Sequence, residues 1–156
     1  MLTFNKKKLL DGYVARFGPL TNDLADAFAF LFSKIESDKN FTDSDTDRRK
    51  LAYCLATFKW ETAHTMKPID ERGGDAYFNK RYGPLTSVGK MLGNTKTGDG
   101  ALYHGRGYVQ ITGRRNYAKA KTLTGIDLIN DPARAKEPDI AYQIAMQGMT
   151  DGWFTG

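Results

Sequence analysis

The sequence predicts a mainly α-helical (α+β) protein, and three observations carry that expectation. Apolar residues recur at helical spacing in four separate segments, whereas only one short stretch alternates with the period of a strand. The composition, 40% apolar and 26% charged over 156 residues, is that of an ordinary soluble globular chain. One domain spanning residues 1–156 is the simplest organisation for this length. A chain of this size buries roughly two-thirds of its unfolded surface, enough for a core without staples.

Leu24, Phe28, Leu31, Phe32 and Ile35 share one face of a first helix, capped by Thr21 or Asn22. Residues 38–47 are polar and acid-rich and read as a loop. A second stripe of Leu51, Cys54, Leu55 and Phe58 begins after Asp45 or Asp47. It should end before Pro68, because the residue preceding proline avoids helical geometry. Residues 73–106 carry glycine and threonine clusters and read as a long, partly ordered loop with a short hairpin. Loops of that length in a compact domain are usually functional. Residues 107–112 alternate as a strand, with Tyr108, Gln110 and Thr112 on one side and Val109 and Ile111 on the other. Residues 114–123 form a helix closed by Gly125. Pro138, well suited to a first helical turn, opens another that carries Ile140, Ile144 and Met149. The aromatic pair Trp153 and Phe154 needs a surface, supplied by the core or by further polypeptide.

Charge and composition narrow the classes of partner. The net charge is +5 and the pI about 9.3, so the protein is drawn to polyanions, whether nucleic acid, anionic membrane or anionic cell-wall polymer. The basic residues are scattered rather than massed into a tail. Cys54 is the single cysteine; it reads as a small core residue, and a chain without disulfides fits a reducing cytosol. Residues 1–8 are basic, but no apolar run of signal-peptide length succeeds them, and no stretch reaches the roughly 18 apolar residues of a membrane span. A target outside the cytoplasm would therefore require another factor for release.

Two segments carry the candidate chemistry. Glu61 shares a helical face with Leu51, Cys54, Leu55, Phe58 and Thr62, close to the helix C-terminus. Burial and the negative end of the helix dipole both disfavour a carboxylate anion, so this group is expected to hold a proton as a general acid must. The competing reading is a solvated glutamate at a helix end. Glu71 lies ten residues on, beyond Pro68, with Asp70 as an immediate competitor for the role of second carboxylate. Inverting glycosidases set their carboxyls about 6.5–9.5 Å apart and retaining ones about 5–5.5 Å. In the second segment, Gly105 and Gly107 frame Arg106 ahead of the alternating stretch, where Gln110 and Thr112 offer polar groups to a sugar hydroxyl or a water. Together these features point to cleavage of a glycosidic bond. His64 comes three residues after Glu61, but a helical zinc signature needs histidine immediately before the glutamate, and that position is Trp60. With His64 and His104 the only histidines, no metal and no cofactor are expected. Nucleotide-binding glycine patterns are absent.

At these residues the chain resembles family 19 glycoside hydrolases. The run Tyr103-His104-Gly105-Arg106-Gly107-Tyr108-Val109-Gln110-Ile111-Thr112-Gly113-Arg114-Arg115-Asn116-Tyr117 is similar to the core signature of that family, in particular its bacteriophage endolysin branch. The segment from Phe58 to Glu61, with His64, Thr65, Pro68 and Ile69, resembles the helix that bears its general acid. Gly125 to Leu128, Asp131-Pro132 and the stretch opened by Pro138 resemble the family's C-terminal segments. The resemblance covers roughly residues 51–154. It implies a lysozyme-like, two-lobed helical fold with a small β element at the cleft. It implies Glu61 as general acid, Glu71 as the base activating water, and Thr112 helping to hold that water. It further implies substrate contacts from Gln110 and Asn116, and cleft positions for Tyr103 and Arg106. Two departures stand out: Trp60 occupies a position where many members have histidine, and members usually continue beyond the Asp151-Gly152-Trp153-Phe154 motif, so a truncated C-terminus is expected.

The expected function is therefore that of an endolysin, a muramidase-type enzyme hydrolysing the β-1,4 bonds of peptidoglycan by inversion. It would act as a monomer, wait in the bacterial host cytoplasm, and reach the periplasm and cell wall through a holin pore. A family 19 chitinase acting on chitin oligosaccharide is the alternative within the fold. A non-catalytic wall-binding or nucleic-acid-binding module is the alternative of another class, although no nucleic-acid partner is expected.

Overall fold

A computed structural model describes residues 2–154. The chain forms two compact units, Met1–Met66 and Lys67–Gly156. The expectation of a mainly helical chain with one small β element holds: eight α-helices, one turn of 3-10 helix and a two-stranded sheet occur among the described residues.

The first unit contains three helices, α1 (Lys6–Phe17), α2 (Asn22–Ser37) and α3 (Asp45–Glu61). Each starts on a side-chain cap: Asn5 accepts from the Lys8 amide, Thr21 from Leu24 and Ser44 from Asp47, satisfying amides that lack an intrahelical partner. Phe28, Leu31, Phe32 and Ile35 of α2 and Leu51, Cys54 and Phe58 of α3 are buried, as their spacing predicts. Burial pushes the Cys54 thiol up to about 11, the signature of an inert core residue rather than a nucleophile. Helix α1 escapes sequence reading because none of its residues is fully buried and Gly12 interrupts a weak stripe.

The second unit holds α4 (Asp75–Tyr82), α5 (Ser87–Met91), α6 (Asp99–Leu102), α7 (Arg114–Thr124), the 3-10 turn Pro132–Lys136 and α8 (Pro138–Thr150). Strand β1 (Ile69–Asp70) pairs antiparallel with β2 (Arg106–Gly107), Ile69 opposite Gly107 and Asp70 opposite Arg106. The core gathers Tyr103, Ile111, Tyr117, Ala120, Leu128, Ala135, Ile140 and Ile144, and Phe154 packs against it. The terminal aromatics therefore dock on this unit's own core. Helix α7 ends at Gly125 in the left-handed conformation (φ 72°), and α8 begins at Pro138, both as predicted.

Two expectations are corrected. Residues 73–106 are not a loop with a hairpin; they carry α4, α5 and α6. These helices are too short for periodicity to reveal, at 8, 5 and 4 residues, and tertiary contacts rather than propensity hold them. Gly89 shows why: a Cβ there would lie 1.9 Å from the Gly83 carbonyl oxygen. Buried Asn94 and Asp99 tie the segment together. The Asn94 amide donates to the Tyr82 carbonyl (2.8 Å) and accepts from the Arg114 amide (2.8 Å). Asp99 accepts from the Thr95 and Lys96 amides and from two Arg114 nitrogens. Residues 107–112 are likewise not an extended strand. Gly107 and Gln110 have φ of 92° and 51°, outside strand geometry. The amides and carbonyls of Arg106 and Ile111 exchange hydrogen bonds of 3.2 and 3.0 Å, closing a tight hairpin whose tip buries Tyr108.

Candidate active site

In the second unit Glu71 comes directly after β1. Its amide donates to the Gly105 carbonyl (2.8 Å), extending the β1–β2 pairing by one residue. Successive residues of a strand point to opposite sides, and this separates the two candidate carboxylates.

Asp70 turns toward cations. It accepts from Arg106 Nε (3.0 Å) and faces His104 Nε2 (3.2 Å), and Lys136 Nζ bonds its other oxygen. Burial alone would raise this carboxyl, but the hydrogen bonds of Lys136 and His104 and the charges of Lys136 and Arg106 outweigh it and hold the group below its ordinary value. Asp70 is thus a neutralised structural anion, a poor base for water.

Glu71 turns the other way. Its Oε1 accepts from the Tyr82 hydroxyl (2.8 Å) and its Oε2 from the Gly105 amide (3.1 Å). The Tyr82 phenol is pushed up to about 12 by burial and by the hydrogen bond and negative charge of Glu71, so it remains a donor throughout the neutral range. Gly105 allows the close approach: a Cβ there would sit 3.0 Å from Gln110 Oε1 and 3.1 Å from Glu71 Oε2. Gln110 and Glu71 therefore flank the same glycine. Gln110 is fixed by its Nε2, which donates to the carbonyls of Ile69 (3.1 Å) and Gly107 (3.0 Å). Its backbone occupies the left-handed region, a cost that β-carbon-bearing residues meet mainly at functional sites.

Thr112 and Asn116 extend the group. Thr112 Oγ1 donates to the Gln110 carbonyl (2.9 Å), and Asn116 Nδ2 to the Thr112 carbonyl (2.8 Å). Both are half-buried. The structure thus brings Glu71, Gln110, Thr112 and Asn116 into one connected set.

Tyr103 and Arg106 require correction as cleft residues. Tyr103 is 1% exposed and its hydroxyl donates to the Ile129 carbonyl (3.0 Å), so it is part of the core. Arg106 is 8% exposed. Its remaining donors go to the Leu102 carbonyl, the Tyr117 hydroxyl and His104. A guanidinium enclosed in this way frames the hairpin and offers nothing to a ligand. Sequence reading missed Tyr82, which lies eleven residues beyond Glu71 on a helix too short to detect.

Glu61 lies in the first unit, as the last residue of α3. The expected burial is overturned: Glu61 is exposed and makes no hydrogen bond or ion pair among the described residues. The inward position at the helix end goes instead to Thr62, whose Oγ1 donates to the Phe58 carbonyl (2.7 Å) and accepts from the Met66 amide (3.0 Å). The chain then breaks sharply, with Ala63, His64 and Met66 at φ of 50°, 68° and 55°. Three non-glycine residues in this conformation within four positions are rare. Lys59 Nζ donates to His64 Nδ1 (2.9 Å), and buried Met66 anchors the turn. Among the described residues no cluster of histidine, cysteine or acidic side chains could hold a metal ion.

A mainly helical chain with a carboxylate fixed beside a glycine hairpin matches a known class. The profile of the family described as chitinase class I, family 19 of the glycoside hydrolases, matches residues 24–154. The chain belongs to that family. Endochitinase 2 of Gossypium hirsutum is 27% identical over 124 residues, covering 77% of this chain and 41% of its own. A glycosyl hydrolase family 19 domain-containing protein of Haemophilus influenzae is 38% identical over 63 residues, covering 40% of this chain and 28% of its own. Chitinase C of Streptomyces griseus HUT6037 superposes with a TM-score of 0.50 at 20% identity, over 82% of this chain and 56% of that one, which establishes a shared fold. The chain spans less than half the length of the curated relatives it matches.

Proposed function

We propose that the protein is a glycoside hydrolase of the endolysin type, cleaving the β-1,4 bonds of peptidoglycan glycan strands. The observation that carries this reading is Glu71: a carboxylate held at both oxygens by neutral donors, in no ion pair among the described residues, beside Gln110. Such a group is held in a fixed orientation, as aiming a water requires. Glu61 serves as the acid that protonates the leaving oxygen, its exposure being removed when the glycan covers it. Gln110 and Asn116 contact substrate, and Thr112 helps hold the water. Attack by that water on the face opposite the leaving group inverts the anomeric centre. Membership of the hydrolase family and resemblance to its phage branch support the role. The charge of +5 favours approach to an anionic wall. That role entails action as a monomer and release from the host cytoplasm through a holin pore; no helix among the described residues is long and apolar enough to cross a membrane.

The relatives named endochitinases favour a second reading, hydrolysis of chitin. Reducing-end release from purified peptidoglycan sacculi and from chitin oligomers separates the two. Release from sacculi that vanishes in Glu61→Gln is expected; turnover of chitin alone would overturn the endolysin role.

A further inference from the structure

Helix α3 carries an aromatic pair on the face opposite its core stripe. Tyr53 and Trp60 are 63% and 75% exposed. They lie seven residues apart, which places them about 10 Å apart along the axis and within about 20° of each other around it. Exposed Ala56 occupies the intervening turn on the same stripe, and exposed Arg49 precedes Tyr53 by one turn. Leu51, Cys54 and Phe58 face the core, so the pair adds nothing to packing within the helix bundle. The Trp60 and His64 rings form a T-shaped pair with centroids 6.2 Å apart, which steadies the indole while most of its surface stays in solvent. Two large exposed rings in register on one helix are a cost to solubility unless something uses them.

From this geometry we infer that Tyr53 and Trp60 form a stacking platform for an extended β-1,4-linked aminosugar strand. Two helical turns, about 10 Å, are close to the length of one disaccharide in such a strand. Successive disaccharides present the same pyranose face, whose C–H bonds meet the electron-rich face of an aromatic ring. Ala56 leaves room for the sugar between. Because Trp60 adjoins Glu61, a strand lying along α3 runs to the helix end that carries the acid. The platform would therefore grip long polymer and matter little to short oligomers. Arg49, which pairs with no acid among the described residues, sits where it can meet a carboxylate of the wall polymer; chitin has none. The inference rests on the glycan-hydrolase reading for its ligand.

The test measures co-sedimentation of the full chain, in a Glu61→Gln background that leaves polymer uncut, with insoluble sacculi and with colloidal chitin. Loss of either ring should weaken binding by about three- to tenfold, and Tyr53→Ala with Trp60→Ala together should abolish it. Tyr53→Phe and Trp60→Phe, which keep a ring, should restore most of it, with circular dichroism confirming an intact fold. In an otherwise unaltered chain, Tyr53→Ala should raise KM on polymer several-fold more than KM on short oligomers. Binding to sacculi and not chitin would assign the ligand to the wall. Equal sedimentation of the double alanine variant and its parent would overturn the platform. So would concentration-dependent self-association that the double variant loses while glycan binding persists, since the rings would then serve a second copy of the chain. A parent that binds through the rings yet hydrolyses neither polymer would remove the hydrolase reading and leave the platform standing.

Discussion

The two candidate carboxylates sit in opposite surroundings. Glu71 is held at three points, its amide on the Gly105 carbonyl and its oxygens under the Gly105 amide and the Tyr82 hydroxyl. Glu61 ends a helix in solvent and makes no hydrogen bond among the described residues. The difference matches the proposed roles. A base must aim a water at one atom, and misplacement by an ångström is costly. An acid that donates to a bound substrate receives its orientation and its dry surroundings from that substrate.

The largest expected effects test this contrast. Glu61→Gln and Glu71→Gln should each lower kcat on peptidoglycan by about 10²–10⁴, yet they should separate in thermal unfolding. Glu61→Gln leaves the melting temperature unchanged. Glu71→Gln turns an amide NH₂ toward the Gly105 amide or the Tyr82 hydroxyl and costs about 1–2 kcal/mol. Equal melting of both would break the comparison.

Arg106→Met comes next. It leaves Asp70 without its guanidinium partner and removes the donors to the Leu102 carbonyl and the Tyr117 hydroxyl, which keeps its own bond to the His104 carbonyl. Denaturant titration should show about 3 kcal/mol of destabilisation. Little change would mean that Arg106 is replaceable by packing and that the hairpin frame lies elsewhere.

Gly105→Ala sharpens the Glu71 side alone. The added methyl meets Gln110 Oε1, Glu71 Oε2 and Glu71 Cβ at 3.0–3.2 Å, displacing the carboxylate by a few tenths of an ångström. The expected loss in kcat is about tenfold to a hundredfold with KM little altered, read from steady-state rates.

Asp70 and Asp99 should contribute to the acid limb of stability, beside Asp47, whose carboxyl the Thr42 hydrogen bonds hold well below its ordinary value. The Asp70 and Asp99 carboxyls also lie below their ordinary value of 3.8. For each, burial pushes upward and is outweighed, by Lys136, His104 and Arg106 at Asp70 and by Arg114 with the Thr95 and Lys96 amides at Asp99. A depressed native value means that the folded state binds fewer protons, so their stabilisation is complete well above the unfolded value and is lost as pH falls through the native ones. Melting temperature should decline below about pH 4, and Asp99→Asn should flatten that decline. The smallest effect is at the α2 cap, where Thr21→Ala should cost about 1 kcal/mol.

Much of the architecture was legible because it rests on local rules. The α2 stripe from Leu24 to Ile35, the Thr21 cap, Gly125 as a stop and Pro138 as a start all act through nearest turns of helix. Helices α4 to α6 were not legible. They depend on Asn94 and Asp99, whose partners lie up to 20 residues away. The hairpin was misread as a strand because alternation in residues 107–112 says nothing about the left-handed backbone at Gln110. At the site, spacing alone leaves Glu71 and Asp70 open as the second carboxylate; their surroundings differ through which side of a two-residue strand meets Arg106 and Lys136. Glu61 was misjudged by one position, since the sharp break after α3 gives the inward place to Thr62.

The most direct test of Glu71 as the base is the initial rate of reducing-end release from purified sacculi by Glu71→Gln beside the parent, at neutral pH and with folding checked by circular dichroism. A general base at this position predicts a rate at least about a hundredfold lower in a protein that still folds. A folded Glu71→Gln variant that digests sacculi within about twofold of the parent, far inside the loss expected of a general base, would contradict it.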